Sequence, residues 1–389
     1  MSTLKVDGIR SNSASSDAIT LASDGTCTAN ITNNLSNRNL IINGAMQVAQ
    51  RGTSAASDGY GSLDRFSSNN ANNDEMPTQS QEDVASGTTP YTSGFRKCFR
   101  MTNGNQTSGA GAADRVCILY DIEAQDIANS GWNYVSSSSN ITLSFWVKSS
   151  VAQNFYVLLR SRDGTERGYV FETGSLTADT WTKITKTISG NTSPTIQIDN
   201  DTGSGMQIEW NIFRGTDKTG SVTLNQWATF DGSARVPDMT STWYTTNDAT
   251  FEITGVQLEV GSVATDFEHR SYGQELELCK RYYQQPINGI NQDIAPCAFY
   301  YSAGHIALTS PIVTPMRTTP TVTVTQGTGY YKLFSSANAS GEAFQPTPEL
   351  GTTVSYSFYD NSGVSGTAGV TGFARTKDAS AKIEYSAEL

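Results

Sequence analysis

Short runs in which apolar and polar residues alternate recur along the chain, and this period of two constrains the fold more than any other feature. In "ITLSFWVKSS", Ile141, Leu143, Phe145 and Val147 occupy every second position. Successive side chains of a β-strand point to opposite faces of its sheet, so the pattern predicts a strand with one buried face. Turn-forming Gly, Asn, Asp and Ser separate such runs, and 34 of the 389 residues are glycine. The sequence therefore predicts an all-β protein.

The longest series of predicted strands, residues 37–285, is expected to form a β-sandwich or jelly roll. "NFYVLLRSRDGTERGYVF" places Asp163 and Gly164 between two apolar runs, as in a hairpin. In "TFEITGVQLEVG" the apolar parity changes at Gly255, and a β-bulge there would keep both halves facing the core. The chain has no evident internal repeat, which favours a sandwich over a solenoid.

One charged stretch, "FEHRSYGQELELCKRYYQQP", has helical spacing and is expected to close this domain. Ser271 and Gln274 have the spacing of a capping box, and Pro286 is expected to end the helix. Glu277 precedes Arg281 by four residues, which predicts a surface ion pair. The apolar positions predict a buried stripe formed by Leu276, Cys279 and Tyr283. Packing therefore explains this stretch better than catalysis.

Two further β units are expected, at residues 1–36 and 286–389. The first contains small strands such as "AITLAS", broken by the turn signals "VDG", "SDG" and "TNN", and has too few apolar residues for its own core. It therefore needs further copies of itself or a socket on another protein, and a disordered tail is the alternative. The second follows the Pro/Gly/Asn-rich link "QQPINGINQD" and contains strand-like runs such as "TPTVTVT", "GYYKLF" and "AKIEYSAEL".

The charge, the apolar runs and the cysteine content argue against nucleic acid or membranes as partners and against disulfide or zinc roles. With 26 basic and 37 acidic residues, the net charge of −11 repels nucleic acid and anionic membrane surfaces. The sequence has no run of about 18 apolar residues, so membrane insertion is not expected, and the N-terminus lacks the pattern of a cleaved leader. The five cysteines are odd in number and have no C-x-x-C spacing, so we expect reduced, mostly buried thiols without disulfide or zinc roles.

The sequence gives little support for catalysis. The two histidines, His269 and His305, lie in different predicted domains and outside any nucleophile-elbow context. No phosphate-binding loop or zinc-protease motif is present, so we expect no cofactor and no enzymatic activity. A hydrolytic carboxylate pair brought together by folding is the alternative, although Glu252 and Glu259 face opposite sides by parity.

Asp199 and Asp201 in "IDNDTGSG" are weak candidate calcium ligands, since carboxylate oxygens suit a hard cation. The stretch lacks the final Glu of a helix-loop-helix calcium loop. An ordinary polar turn is the favoured alternative.

Four aromatic residues in polar loop-like stretches are candidate carbohydrate contacts. Trp132 and Tyr134 lie in "NSGWNYVSSSSN", and Trp243 and Tyr244 lie in "TSTWYTTND". Aromatic faces with Asn, Asp and Gln nearby are typical of sugar sites. The alternative is packing beneath loops or at a subunit interface. The remaining tryptophans are expected on strands or at sheet edges: Trp146, Trp181, Trp210 and Trp227.

Five stretches together carry a resemblance to a known class: "NLIINGAMQVAQRGTS", "YGSLDRF", "ITGVQLEVGSVATDFEHRSYGQELELCKRYY", "PMRTTPTVTV" and "SAEL". The chain resembles tail-fibre proteins of tailed, podovirus-like bacteriophages, whose middle domain is similar to a carbohydrate-binding jelly roll. The resemblance implies a homotrimeric fibre in the virion tail, made in the host cytoplasm. It implies attachment through the N-terminus to other tail or portal-adaptor proteins, with the C-terminal domain as the distal tip. In this class the segment resembling Val256 to Tyr283 is a structural link between modules.

The resulting expectation is a non-catalytic virion appendage that mediates host adsorption by binding cell-surface polysaccharide. A glycan-cleaving tailspike-type depolymerase is one alternative, although the chain has no long β-helical shaft. An adaptor or decoration protein that carries another fibre is the second.

Overall fold

The computed structural model describes residues 6–15, 17–21, 23, 27–29 and 37–389. Strands account for 44% of the described residues and helices for 7%, which confirms the all-β prediction. The N-terminal unit contains a three-stranded antiparallel sheet of β1 (Gly8–Ile9), β2 (Ile19–Leu21) and β3 (Cys27–Ala29). Strand β2 lies within the predicted run "AITLAS". The predicted "TNN" turn and part of "SDG" lie outside the described residues.

The central unit is a sandwich of two six-stranded antiparallel sheets. Sheet I has the strand order β14-β11-β10-β13-β8-β5, and sheet II has the order β12-β9-β15-β7-β6-β4. The chain crosses between the sheets repeatedly, as in a jelly roll. The elements are β4 (Ser54–Ala55), β5 (Phe66–Ala71), β6 (Thr78–Asp83), α1 (Thr89–Thr92), β7 (Lys97–Thr102), β8 (Arg115–Glu123), α2 (Ala124–Ala128), β9 (Asn140–Ser149), β10 (Asn154–Ser161), β11 (Arg167–Ser175), β12 (Thr182–Ser189), β13 (Ser204–Arg214), a 3-10 turn (Thr216–Lys218), β14 (Trp227–Thr229), α3 (Thr242–Thr245), β15 (Thr250–Val260) and α4 (Tyr272–Lys280).

The core of the sandwich lies between the inner faces of the two sheets. The alternating side chains of β9 point inward as predicted, and Phe145 is fully buried. From the opposite sheet, Trp210 of β13 meets Phe145 edge to face, with ring centroids 5.8 Å apart. Such aromatic contacts add stability beyond the burial of apolar area.

The predicted hairpin and bulge are both present. Gly164 lies between β10 and β11 with φ +58°, and Gly255 has φ +62° where the register of β15 against β9 shifts. The predicted opposite orientation of Glu252 and Glu259 is wrong, because the extra residue of the bulge between them turns both side chains to the same face of the sheet. Both carboxylates lie on the outer face of sheet II, opposite Lys148 and Thr142 of β9. Six residues of strand separate these positions by about 20 Å, more than glycosidase carboxylates require.

The predicted helix is present but shorter than expected. Both hydrogen bonds of the Ser271–Gln274 capping box form. Helix α4 ends at Lys280, six residues before Pro286, because the following residues enter a strand that carries Tyr283. The stripe is therefore only partly helical, with Cys279 fully buried and Leu276 half-buried.

The predicted ion pair of the helix is wrong. Glu277 pairs with Lys280 at 2.6 Å. Arg281 instead donates two hydrogen bonds, at 3.0 and 2.8 Å, to the carboxylate of Glu123. Because Glu123 is buried, its hydrogen bonds with the Arg281 guanidinium are stronger than those that the exposed Glu277 would form.

The C-terminal unit has its own core. A three-stranded sheet has the order β16-β25-β19, and a seven-stranded sheet has the order β21-β20-β24-β17-β18-β23-β22. The predicted boundary at 285/286 lies inside β16, which pairs with β25. The strands are β16 (Tyr283–Asn288), β17 (Asp293–Ser302), β18 (His305–Pro311), β19 (Thr321–Thr325), β20 (Tyr331–Ser335), β21 (Asn338–Phe344), β22 (Thr347–Gly351), β23 (Ser355–Asp360), β24 (Thr371–Thr376) and β25 (Lys382–Ser386).

A buried ion cluster joins the central and C-terminal units. Glu388 contacts the guanidinium of Arg65, and it lies 3.1 Å from Arg51. The same two guanidinium groups lie over aromatic rings, Arg65 at 3.5 Å from the centroid of Tyr282 and Arg51 at 3.6 Å from that of Tyr283. The predicted link between modules is therefore a packed joint.

Among the described residues, no helix combines the length and apolar character needed to cross a membrane.

Candidate functional site

The predicted carbohydrate contacts at Trp132, Trp243 and Tyr244 are core residues, with 3%, 0% and 1% of their surfaces exposed. The Trp243 indole donates to the Thr250 carbonyl at 3.0 Å, and the Tyr244 ring stacks on Phe213 at 4.3 Å. Their ring faces are covered by protein, so the prediction that these three residues stack directly on sugar is wrong. The alternative of packing beneath loops describes them.

Tyr134 differs from the other three because it is half-buried. Its hydroxyl donates to the Ile198 carbonyl at 3.3 Å, and its ring makes an edge contact with Trp132. The ring therefore fastens its loop to the sandwich.

The candidate calcium ligands belong to a hydrogen-bonded turn. The carboxylate of Asp201 accepts from Gly203 N at 2.8 Å, and Asp199 N donates to the Asp163 carboxylate at 2.8 Å. Burial, with the nearby charges of Asp199 and Asp201, raises the pKa of Asp163. Among the described residues, no group of three or more His, Cys, Asp or Glu side chains could hold a metal ion. The polar-turn alternative fits this geometry.

The thiols have structural surroundings. Cys98, Cys117 and Cys279 are buried and Cys297 is exposed, and all four are free. Burial raises the pKa of Cys279 well above its usual value, which keeps it protonated at neutral pH. The thiol therefore has no nucleophilic character.

A different cavity combines aromatic rings with polar groups. It has a volume of about 500 Å³ and lies on the outer face of sheet II, between the segments 92–95 and 265–269. We call it the aromatic pocket. Its lining residues are Thr92, Ser93, Gly94, Phe95, Ser144, Trp146, Lys183, Gly255, Thr265, Asp266, Phe267 and His269.

The strand pattern places Trp146 in this pocket. Its neighbours Phe145 and Val147 face the core, so the pleat of β9 points Trp146 outward. In the sheet it lies between Lys183 of β12 and Thr254 of β15. Trp146 is half-buried, which leaves part of its ring open to a ligand.

Three further rings form the opposite side of the pocket. Phe95 and Phe267 meet edge to face with centroids 4.9 Å apart, and His269 lies 5.2 Å from Phe95 and 4.9 Å from Phe267. The His269 Nε2 atom lies 3.1 Å from the Ser93 carbonyl oxygen. These contacts fix the rings before any ligand arrives.

Two glycines keep the pocket open. A Cβ atom at Gly255 would lie 2.6 Å from the Phe95 ring, and one at Gly94 would lie 2.8 Å from His269 Nε2. Both residues also have positive φ, at +62° and +98°, which side-chain-bearing residues rarely adopt. The bulge predicted from sequence therefore also shapes the floor of this site.

A charged cluster adjoins the pocket on the same sheet face. The buried carboxylate of Glu252 pairs with Arg100 and Lys148, each at 2.6 Å. Lys148 Nζ also lies 5.2 Å from the ring centroid of Trp181. Two charged residues of the pocket itself, Lys183 and Asp266, are exposed.

Two larger cavities lack this combination. A cavity of about 620 Å³ beside Arg270 and Leu278 has no aromatic ring among its described lining residues. Another, of about 560 Å³, contacts Tyr169 and Trp227, but each ring is only 6% exposed. From the sequence, Trp146 is expected on a strand and not among the candidate sugar contacts; the alternation of β9 puts it on the outer face of sheet II.

No protein-family model and no curated protein matches this chain. Among solved structures, the enzymatically active domain of bacteriophage CBA120 tailspike protein 4 is 10% identical with a TM-score of 0.30, covering 57% of this chain and 21% of that chain. A family 11 carbohydrate-binding module from Clostridium thermocellum is 12% identical with a TM-score of 0.26, covering 52% and 91%. The N-terminal cellulose-binding domain of Cellulomonas fimi β-1,4-glucanase C is 11% identical with a TM-score of 0.26, covering 56% and 99%. At these values the likenesses carry no argument about function, and the chain spans about a fifth of the tailspike structure.

Proposed function

We propose that this chain is a non-catalytic tail-fibre protein that adsorbs a virion to its host by binding cell-surface polysaccharide in the aromatic pocket. The observation that carries this proposal is the half-open ring of Trp146 beside exposed Lys183 and Asp266. A sugar offers an apolar face to an aromatic ring and hydroxyl groups to polar side chains, and this pocket has both.

The pocket would hold a sugar without changing it. Trp146 would stack on one face of a pyranose ring, and the Phe267 edge would close its side. The Lys183 ammonium would donate to hydroxyl oxygens, while the Asp266 carboxylate would accept from hydroxyl groups. Because the rings are already packed together, little conformational entropy would be lost on binding.

The fibre part of the proposal concerns residues 1–36 and the oligomeric state. In the single chain Val6, Ile9 and Leu21 are 40%, 53% and 37% exposed, which supports burial against other chains. We propose that this segment joins a homotrimer and attaches it to tail or portal-adaptor proteins of the virion. Three pockets held together would raise apparent affinity by about 10²–10⁴.

The test incubates the full-length protein with purified host polysaccharide and with host cells. We expect the polysaccharide to compete for cell binding and to release no new reducing ends. New reducing ends would replace the proposal with a depolymerase. Absence of binding to both cells and polysaccharide, with a further fibre beyond this protein in negative-stain images of virions, would replace it with an adaptor.

A further inference from the structure

A second cavity lies on the opposite side of the sandwich, on the outer face of sheet I. It has a volume of about 270 Å³, and we call it the arginine groove. Its lining residues are Asn69, Arg115, Leu119, Arg160, Arg162, Gln207, Glu209, Arg214, Lys218 and Arg235. Six basic side chains therefore converge in a chain whose net charge is −11.

Neighbouring strands bring these cations together. Arg115 of β8 and Arg214 of β13 are directly paired across the sheet, and Arg160 of β10 lies opposite Gln207 of β13. The segment after β13 returns over the sheet, and Arg235 N donates to the Lys218 carbonyl at 2.9 Å. Because like charges on paired strands repel, this arrangement costs stability unless something compensates it.

The protein compensates only part of the charge. Glu209 is fully buried and lies 2.8 Å from both Arg214 and Arg235. Glu166 accepts from Arg160 Nε at 3.0 Å and lies 3.1 Å from Arg162. These two carboxylates pair with four of the six cations, and Arg115 and Lys218 form no ion pair within the described part of the chain.

Several guanidinium donors in the groove lack a partner. Within the described part of the chain, the buried Nε atoms of Arg115, Arg162 and Arg235 have no hydrogen-bond acceptor. Buried donors are almost always satisfied in native proteins, and an acceptor that enters the groove would satisfy these three. Burial lowers the pKa of Arg235, and the charges of Arg214 and Arg160 lower it further against the effect of Glu209.

Ring contacts hold two of these groups in place. The guanidinium carbon of Arg160 lies 3.8 Å from the ring centroid of Phe230, and that of Arg235 lies 5.1 Å from the same centroid. Cation–π contacts of this kind orient a guanidinium before an anion arrives. The Phe230 ring therefore helps to hold both guanidinium groups at the groove.

We propose that the arginine groove binds the carboxylate of an acidic sugar, of the uronic or sialic acid type. Guanidinium groups form paired hydrogen bonds with a planar carboxylate, and the groove has room for one charged sugar residue. The net charge of −11 opposes an extended polyanion such as nucleic acid. This inference rests on the proposed function only in taking the ligand to be a glycan.

The test measures binding of short oligomers of galacturonic acid and of sialic acid, each beside its carboxyl-reduced neutral form, to the full-length protein. We expect at least one acidic form to bind and its reduced form to bind at least about tenfold more weakly, since a charge-assisted hydrogen bond contributes about that factor. Affinity should fall as salt concentration rises. Arg115→Gln should reproduce the loss, while Arg375→Gln in the C-terminal unit should not.

Lys218→Gln, on an exposed turn, is a second variant that should lower affinity if Arg115→Gln disturbs folding. Equal binding of acidic and reduced forms would overturn the inference and leave glycan binding intact. Binding of neither acid, or tighter binding of dextran sulfate or duplex DNA, would also overturn it. Failure of the proposed function is a separate result, because that function is tested by the binding of host polysaccharide to the wild type and to Trp146→Ala.

Discussion

Replacement of Glu388 by Gln tests whether the joint between the two units depends on its buried charges. Only 1% of the Arg65 side chain and 5% of the Glu388 side chain is exposed. Gln would keep the shape of Glu388 but would remove the negative charge shared by Arg65 and Arg51. A buried guanidinium would then lack its main counter-charge.

The expected cost is about 3 kcal/mol of unfolding free energy, at the lower end of the range of 3–5 kcal/mol for a buried pair that loses one partner. The lower end applies because Arg65 keeps its hydrogen bond to the Asp121 carbonyl and its contact with the Tyr282 ring. Since Arg65 belongs to the sandwich and Glu388 to the C-terminal unit, the loss should also weaken the coupling between the two cores.

Scanning calorimetry and chemical denaturation would measure both effects. Glu388→Gln should lower the transition temperature and separate the unfolding of the C-terminal unit from that of the sandwich. Asp293→Asn is the matched control, because its pair with Arg375 is exposed and should contribute no more than about 1 kcal/mol. A change below about 1 kcal/mol for Glu388→Gln, with an unaltered unfolding profile, would refute the role given to this cluster.

Three other predictions concern stability. Gly255→Ala should cost at least about 1–2 kcal/mol, because φ is +62° and the new methyl group would meet Phe95; an unfolding titration in which it matches wild type would contradict this. Burial raises the pKa of Asp64 to about 6, so the folded state favours the protonated carboxyl. The unfolding free energy should therefore fall by about 3 kcal/mol as the pH rises from about 4 to above 6. Asp64→Asn should remove this pH dependence, and an unchanged dependence would refute the assignment. Ser271→Ala should cost about 1 kcal/mol through loss of the hydrogen bond from Gln274 N, whereas Gly at the same position should cost only a few tenths; equal losses in thermal unfolding would count against the cap.

Local pattern predicted the features that depend on neighbouring residues. The alternation of β9, the bulge at Gly255 and the capping box at Ser271 each follow from residues within a few positions of one another. These are the scales on which backbone geometry and side-chain parity act.

Features that depend on residues distant in the chain could not be predicted from the sequence. Tyr283 continues the helical spacing of α4, yet it lies on a strand because β25, about 100 residues later, pairs with it. Strands β21 and β24, "NASGEAF" and "TGFART", have weak patterns and are held by their neighbours in the sheet. Trp243 looked exposed because its flanks are polar, but its short helix packs against β13 and buries it.

Neither cavity could be read from spacing. The aromatic pocket unites Phe95, Trp146 and Phe267, which are far apart in the chain. The arginine groove likewise depends on the register between β8 and β13, which places Arg115 beside Arg214. A sequence gives the types of side chain available, and the sheet register decides which of them meet.

The most direct test of the account is the dissociation constant of host-surface oligosaccharide for wild type, Trp146→Ala and Tyr301→Ala. Tyr301 is 70% exposed in the C-terminal unit, so it controls for the loss of an exposed ring. We expect Trp146→Ala to weaken binding about tenfold while the variant remains folded, because stacking and apolar contact contribute on the order of 1.4 kcal/mol, and we expect Tyr301→Ala to bind as wild type. Unchanged affinity for Trp146→Ala, with loss of binding for Tyr301→Ala, would contradict it and place the receptor site in residues 286–389.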